Sequence, residues 1–309
     1  MNSGIILLNK KPGITSFDAL RDIKRYLGTG KVGHTGTLDK FAQGLLIILA
    51  RNALRLSKYF SHCDKVYEAG ILFGTETDTL DPEGNVTAKA PLPARGDVEN
   101  ALSLFTGEIM QSPPEYSAIH INGKRASDLA REGKAPEMKK RPVTIYKIEL
   151  LSWQPPLAEI LVHCSSGTYI RSLARDIAIE AGSRAHLNSL VRTKVAGFCL
   201  EEYHTETQRH GEYGEINEKY NLKIIDKEVI SNLGLPWYEV NEHEVQNIRQ
   251  GKPLAEILYN KEILNSAPSC LRVSYSPISA AAVFYGETLI AVVEQTGAEW
   301  KYGCVIADG

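Results

Sequence analysis

The 309-residue chain predicts a mixed α+β fold followed by a small, mostly β C-terminal segment. Three observations carry this expectation. Strand-like and helix-like segments alternate, yet without the regular spacing of βαβ units. Composition shifts after Cys199, where residues 201–222 become polar and acidic around Gly211 and Gly214, and this stretch reads as a linker or insertion. Beyond Leu235 short β runs replace the helical patterns. The expected division is residues 1–225, with 201–225 as the polar linker or insertion, and residues 226–309.

The elements follow in order. Gly4 to Leu8 reads as a strand, and Pro12-Gly13 as a tight turn. Thr15 and Asp18 have capping-box spacing for a helix. Phe17, Leu20, Ile23 and Leu27 recur at roughly helical intervals, and Gly28 stops the run. A glycine- and threonine-rich loop comes next, closed by the apolar run Leu45 to Ala50. Ala53 to Phe60 reads as a short helix, and Tyr67 to Phe73 as a strand entering the acidic turn Thr77 to Gly84. Val98 to Phe105 is expected to be helical, and Val143 to Trp153 and Ile160 to Cys164 extended. Tyr169 to Ala181 reads as a helix with Ile170, Leu173, Ala174, Ile177 and Ala178 on its buried side and Gly182 after its end. Ala281 to Tyr285, Leu289 to Val293 and Gly303 to Ile306 read as strands of a terminal domain of about 75 residues, near the lower size for independent folding.

A hydrophobic content of 43% and a charged content of 23% are ordinary for a globular protein. No apolar run approaches the roughly 18 residues of a membrane span. The N-terminus lacks the basic start of a secretory signal. The five cysteines (Cys63, Cys164, Cys199, Cys270 and Cys304) are scattered and form no CxxC pair. Zinc and a disulfide framework are therefore not expected, and a reducing cytoplasm fits. The net charge of −2 hides a division. Residues 1–65 hold eleven Lys/Arg against four Asp/Glu, and residues 124–194 hold thirteen against seven. Residues 66–110 carry −6 and residues 201–309 carry −8. A polyanion would be drawn to the two basic blocks; taken alone, the asymmetry also fits a solvated charged surface.

The densest stretch is Lys31-Val32-Gly33-His34-Thr35-Gly36-Thr37-Leu38-Asp39-Lys40-Phe41-Ala42-Gln43, followed by Gly44-Leu45-Leu46. Glycines at this density let backbone approach a ligand. Asp39 is the one carboxylate in the stretch, which makes it the residue to suspect of chemistry. On spacing alone, a surface turn with a capping aspartate is an equal reading.

Gly33 to Asp39 resembles the GHTGTLD motif of the TruB-type tRNA pseudouridine synthases, whose aspartate is catalytic. Further segments match the family in order. Gly4 to Ser16 resembles its opening strand and KPxGxTS motif. Gln111-Ser112-Pro113-Pro114-Glu115-Tyr116-Ser117-Ala118 resembles PPxYSA, with Gly123-Lys124-Arg125 and Leu129 to Gly133 at family spacing. Gly167-Thr168-Tyr169-Ile170-Arg171 matches GTYIR, and Leu190-Val191-Arg192-Thr193 resembles the LxRT segment that lines the pocket.

The resemblance implies a mixed, mostly antiparallel sheet core flanked by helices, with tRNA, through its TΨC arm, as substrate. It implies no cofactor and no metal, and a monomeric, cytoplasmic enzyme. Catalytic roles fall on Asp39, Tyr67 and Arg171. Pseudouridine formation breaks the N1–C1′ bond, rotates the uracil and rejoins it through C5. A carboxylate beside C1′ can act there as nucleophile, base or electrostatic stabiliser. Burial alone raises a carboxyl pKa, so an ionised Asp39 needs a cation, and Arg171 stands at the family position that pairs with it. Tyr67, in Lys65-Val66-Tyr67, matches the active-site tyrosine, whose ring could stack on the uracil. His34 is expected to fill the space of a flipped base. Gly36, Thr37, Tyr169 and Leu190 fall among the substrate-binding positions, and Lys10, Lys124, Arg125, Arg131 and Arg192 are expected at phosphates.

Some positions depart from the pattern. Asn9 replaces a common aspartate, Lys40 to Gln43 replaces Pro-Leu-Ala-Thr or Ser, His120 replaces lysine and Ser127 replaces tyrosine. From about Pro236 the chain looks like a PUA-type RNA-binding domain, with Glu242 to Lys252 resembling its helix and glycine turn. The alternative to an enzyme is a tRNA-binding folding chaperone with a vestigial site, against which stand Asp39, Tyr67 and Arg171. A nucleotide-binding enzyme is disfavoured, because no phosphate-binding glycine motif is present.

Overall fold

The computed structural model describes residues 3–134, 137–200, 220–254, 257, 279–297 and 299–306. Most of the expected linker (201–219) and Cys270 lie outside the described residues. The chain forms two compact units. One gathers Met1–Lys40, Gly44–Asp64 and Lys194–Gly309, and the other Phe41–Gln43 and Lys65–Thr193.

In the first unit, the strand Gly4–Lys10 pairs antiparallel with Gln43–Ala50, Gly4 opposite Ala50 and Lys10 opposite Gly44. The short strand Val32–His34 pairs with the same partner, His34 opposite Ile48. Every residue from Leu45 to Ala50 is buried, as an apolar run without alternation requires. The helix Ser16–Tyr26 starts where expected: the Thr15 hydroxyl accepts from the Asp18 amide (3.0 Å), and Asp18 accepts from the Thr15 amide (3.3 Å). Hydrogen bonds from the Thr15 hydroxyl and amide hold Asp18 below the usual carboxylate range. The buried stripe is Ser16, Ala19, Leu20 and Ile23, so Phe17 falls beside it and is 66% exposed, with the Lys24 ammonium 5.3 Å from its ring centre. The segment expected as one helix over Ala53 to Phe60 is a 3₁₀ turn, Arg51–Leu56, followed by the helix Ser57–Ser61.

The C-terminal β runs form a four-stranded sheet. Trp237–Glu239 lies parallel to Ser279–Tyr285, and Thr288–Thr296 and Glu299–Val305 follow antiparallel. Its residues alternate between two cores, as strand geometry dictates. Ala281, Val283 and Val293 pack with Val245 and Ile248 of the helix Glu242–Arg249. Ala282, Phe284 and Val292 join Ile5, Leu45, Leu49, Phe60 and Phe198 in a single cluster. The sheet thus shares its larger core with the N-terminal strands. Polar ties reinforce the junction: the Tyr59 hydroxyl donates to Glu294 at 2.6 Å, Lys58 forms an ion pair with the same carboxylate, and the Arg55 guanidinium donates to the Val305 carbonyl at 2.5 Å. Burial raises the Glu294 pKa, but the bonds from Lys58 and Tyr59 outweigh it and hold the group below its ordinary value.

The second unit is built on strands Ala185–Val195, Lys65–Phe73, Leu157–Cys164, Arg141–Gln154 and Gly107–Gln111, side by side in that order. The last four are joined antiparallel. The core is therefore mixed α+β with a mostly antiparallel sheet, as the resemblance implied. Ala185–Val195 escaped the sequence reading because Asn188, Ser189, Arg192 and Thr193 interrupt its alternation. The helix Ile170–Glu180 has the expected buried face. The helix expected at Val98 begins earlier, spanning Arg95–Ser103, because Asp97 accepts from the Ala94 amide at 3.0 Å. Among the described residues, no helix is long and apolar enough to cross a membrane.

Candidate active site

The loop that carries Asp39 is fixed through its backbone. The Thr35 amide donates to the Ile47 carbonyl at 3.1 Å. Just before Asp39, Leu38 is buried and meets the hydroxyl of Ser16 twice: its amide donates to Ser16 Oγ (2.9 Å), and Ser16 Oγ donates to its carbonyl (3.0 Å). Just after, the Lys40 carbonyl accepts from the Gly13 amide at 2.8 Å and from Lys10 Nζ at 3.4 Å. Gly13 can make this turn because its φ is +84°, a region that favours glycine. Lys10 is 0% exposed, and its ammonium also donates to the carbonyls of Ile14 (2.8 Å) and Lys11 (3.1 Å). A buried ammonium needs such acceptors, and here they come from the turn that abuts the loop. Asp39, Gly36 and His34 are half-buried and Thr37 is exposed.

Arg171 belongs to the second unit and is held by its own side chain. Nη1 donates to the Thr79 carbonyl at 2.8 Å and lies 3.5 Å from Asp81 Oδ2; Nη2 donates to the Tyr116 carbonyl at 3.0 Å. Both members of the Arg171–Asp81 pair are buried, with side chains 5% and 9% exposed. Asp81 is anchored in turn by the Thr79 hydroxyl (2.6 Å) and the Glu83 amide (3.0 Å). One guanidinium thus ties together the acidic turn, the PPEYSA segment and the helix Ile170–Glu180.

Tyr169 is the cap residue of that helix. The Gln111 side-chain amide meets both its backbone groups, accepting from its amide (2.8 Å) and donating to its carbonyl (3.1 Å). The Arg141 guanidinium lies 4.9 Å from the Tyr169 ring centre and donates to the Gly167 carbonyl at 2.7 Å. Tyr67 is buried in its strand opposite Val162. Leu190 and Arg192 are buried on Ala185–Val195. A Cβ at Gly70 would come 2.5 Å from the hydroxyl of Ser189 on this neighbouring strand.

Lys124 and Arg125 lie exposed on a hairpin, and Arg131 at the end of the helix Ala126–Arg131. Their ion pairs, Lys124–Glu132 at 3.9 Å and Arg131–Asp128 at 3.2 Å, are of the solvent-exposed kind that contribute little. Of the residues expected at phosphates, these three face solvent, whereas Lys10 and Arg192 are buried. Among the described residues, no group of three or more His, Cys, Asp or Glu side chains is placed to hold a metal ion.

Four residues that hold this arrangement were not singled out from the sequence: Ser16, Asp81, Gln111 and Arg141. Ser16 and Gln111 stand within the matched motifs and Asp81 within the acidic turn. The signal was present as motif membership, without any indication of the partner.

Residues 24–170 match the model of the TruB family pseudouridylate synthase, N-terminal domain. The chain is 48% identical over 205 residues to a tRNA pseudouridine synthase B from Borreliella burgdorferi, covering 65% of this chain and 73% of that protein. It is 45% identical over 218 residues to the protein of the same name from Treponema denticola, covering 64% and 61%. Among solved structures, a chain of a Cbf5–Nop10–Gar1 complex superposes with a TM-score of 0.66 at 22% identity, over 98% of this chain and 85% of that one. That likeness is one of fold.

Proposed function

The chain belongs to the TruB family of pseudouridylate synthases, and on that premise we propose that it isomerises uridine 55 in the TΨC loop of tRNA. The observation that carries the reading is Asp39 in a motif loop whose neighbouring residues, Leu38 and Lys40, are both pinned. Relatives named for tRNA pseudouridine synthesis support the substrate class.

In this reading the target uridine is flipped out, with His34 filling its place in the stack. The N1–C1′ bond breaks, the uracil turns, a C5–C1′ bond forms, and the C5 proton is lost while N1 gains one. Asp39 acts at C1′ as nucleophile, base or stabilising anion. Arg171 is the cation that keeps it ionised, opposing the effect of desolvation. Tyr67 stacks on the base and assists at C5. Gly36, Thr37, Tyr169 and Leu190 line the bound nucleotide. Lys124, Arg125, Arg131 and Arg192 meet phosphates, while the buried Lys10 braces the turn beside the loop. Residues 226–309 serve as a PUA-like RNA-binding domain after the catalytic residues 1–225. The enzyme works as a cytoplasmic monomer without cofactor or metal.

The test is to incubate an unmodified tRNA transcript with the protein and map pseudouridine by carbodiimide treatment and primer extension. A stop at position 55, absent with Asp39→Asn, is the expected result. Modification only at another position, or none, overturns the proposal.

A further inference from the structure

We propose that Ser16 and Gln111 are positioning residues for the reaction. Each is a buried side chain that pairs with one backbone residue as a strand neighbour would, within two residues of one assigned to chemistry. The inference rests on the reading that Asp39 and Arg171 are catalytic.

The two side chains do the same thing in different units. Ser16 is 2% exposed and meets the amide and carbonyl of Leu38, 22 residues away and adjacent to Asp39. Gln111 is 1% exposed and meets the amide and carbonyl of Tyr169, 58 residues away and two before Arg171. Exchange of both backbone groups with one partner is the pattern of an antiparallel pair. It leaves the held residue little freedom in φ and ψ.

At Leu38 this matters because the chain is pinned on the other side too, where the Lys40 carbonyl accepts from Gly13 and Lys10. Asp39 therefore sits between two fixed peptide groups. At Tyr169 it matters because the cap residue sets where the helix begins. No side-chain bond from Tyr169 itself caps that helix. Fixing Tyr169 fixes the first turn, and Arg171 lies in that turn. Misplacement of a reacting group by about 1 Å lowers rates as much as 10²-fold, so both clamps should be visible in the rate of chemistry.

Three variants separate positioning from simple packing. Each is measured in single turnover at saturating tRNA, with tRNA affinity and thermal midpoint recorded alongside. Ser16→Ala and Gln111→Leu should slow the chemical step about 10- to 100-fold while the Kd for tRNA stays within about threefold. Gln111→Glu is the sharper variant. Ionised, it accepts from the Tyr169 amide but cannot donate to the Tyr169 carbonyl; protonated, it regains the donor at nearly the same shape. Burial raises such a carboxyl's pKa, so recovery falls in a usable range. Its rate relative to wild type should climb as pH is lowered, whereas the relative rate of Ser16→Ala should stay flat.

A flat relative profile for Gln111→Glu, or rates within about twofold of wild type in Ser16→Ala and Gln111→Leu, overturns the inference. So does a rate loss seen only together with an equal loss of tRNA binding. Asp39→Asn distinguishes the levels. An active Asp39→Asn breaks the underlying reading. An inactive Asp39→Asn beside fully active Ser16 and Gln111 variants breaks only this inference.

Discussion

The loop carrying Asp39 and the helix carrying Arg171 are held in opposite ways. Around Asp39 the anchoring bonds go to the main chain of its neighbours: Ser16 to Leu38, Gly13 and Lys10 to Lys40. At Arg171 they go to the guanidinium itself, from the Thr79 and Tyr116 carbonyls and the Asp81 carboxylate. Backbone anchoring fixes the peptide groups on either side of Asp39. Side-chain anchoring fixes a cation's charge in a buried place, where its field acts through low dielectric.

The comparison breaks most decisively at Asp39. Asp39→Asn keeps the shape and the loop's anchoring bonds but removes the charge. Single-turnover product formation should fall at least about 10³-fold, or roughly 4 kcal/mol, with tRNA binding nearly unchanged. Activity within about tenfold of wild type would mean the backbone-held loop presents no essential group.

Next comes the anchored cation. Asp81→Ala removes one buried carboxylate from Arg171, and breaking such a buried pair typically destabilises by about 3–5 kcal/mol. Asp81→Asn keeps an acceptor for the Glu83 amide and should be milder. Denaturant midpoints for the two variants measure this directly. Equal, small losses would show that the carbonyls of Thr79 and Tyr116 suffice to hold Arg171.

Tyr67 sharpens the chemical side. Tyr67→Phe should bind tRNA normally but stall after glycosidic cleavage, slowing product formation by about 10²-fold if the hydroxyl assists proton transfer. Tyr67→Leu should lose binding as well, since the stacking face is gone. Full single-turnover activity in Tyr67→Phe would reduce the residue to a packing surface.

The smallest effect is expected at Glu294, away from the loop and the helix alike. Its pKa is lowered in the folded protein, so its contribution is present above the unfolded carboxylate value and is lost as pH falls through the folded one. Glu294→Gln should cost about 1.5 kcal/mol near neutral pH, leave the rate of chemistry unchanged, and converge with wild type in stability as pH falls through the lowered folded value. Parallel urea titrations from pH 7 to 3.5 would reveal it. A gap that persists to the lowest pH would remove the charge from the explanation.

Much of the fold is legible in the sequence, and for local reasons. The Thr15–Asp18 cap, the buried face of Ile170–Glu180 and the apolar run Leu45 to Ala50 are written in neighbouring residues. So was the Asp39 loop, whose glycines crowd a single carboxylate. The strand Ala185–Val195 was not legible, because its polar residues hide the alternation and the neighbouring strand decides the burial. Gly70 likewise gives no hint that Ser189 approaches it.

Neighbouring residues were enough to place the short segments, because caps, turns and periodicity act over a few residues. Folding in three dimensions was needed to bring Ser16 to Leu38, Gln111 to Tyr169, Lys10 to the Lys40 carbonyl, and Asp81 to Arg171. Those partners lie 22, 58, 30 and 90 residues apart. Nothing in local spacing encodes such pairings; they arise when burial strips water from polar groups and each must find its acceptor elsewhere in the chain.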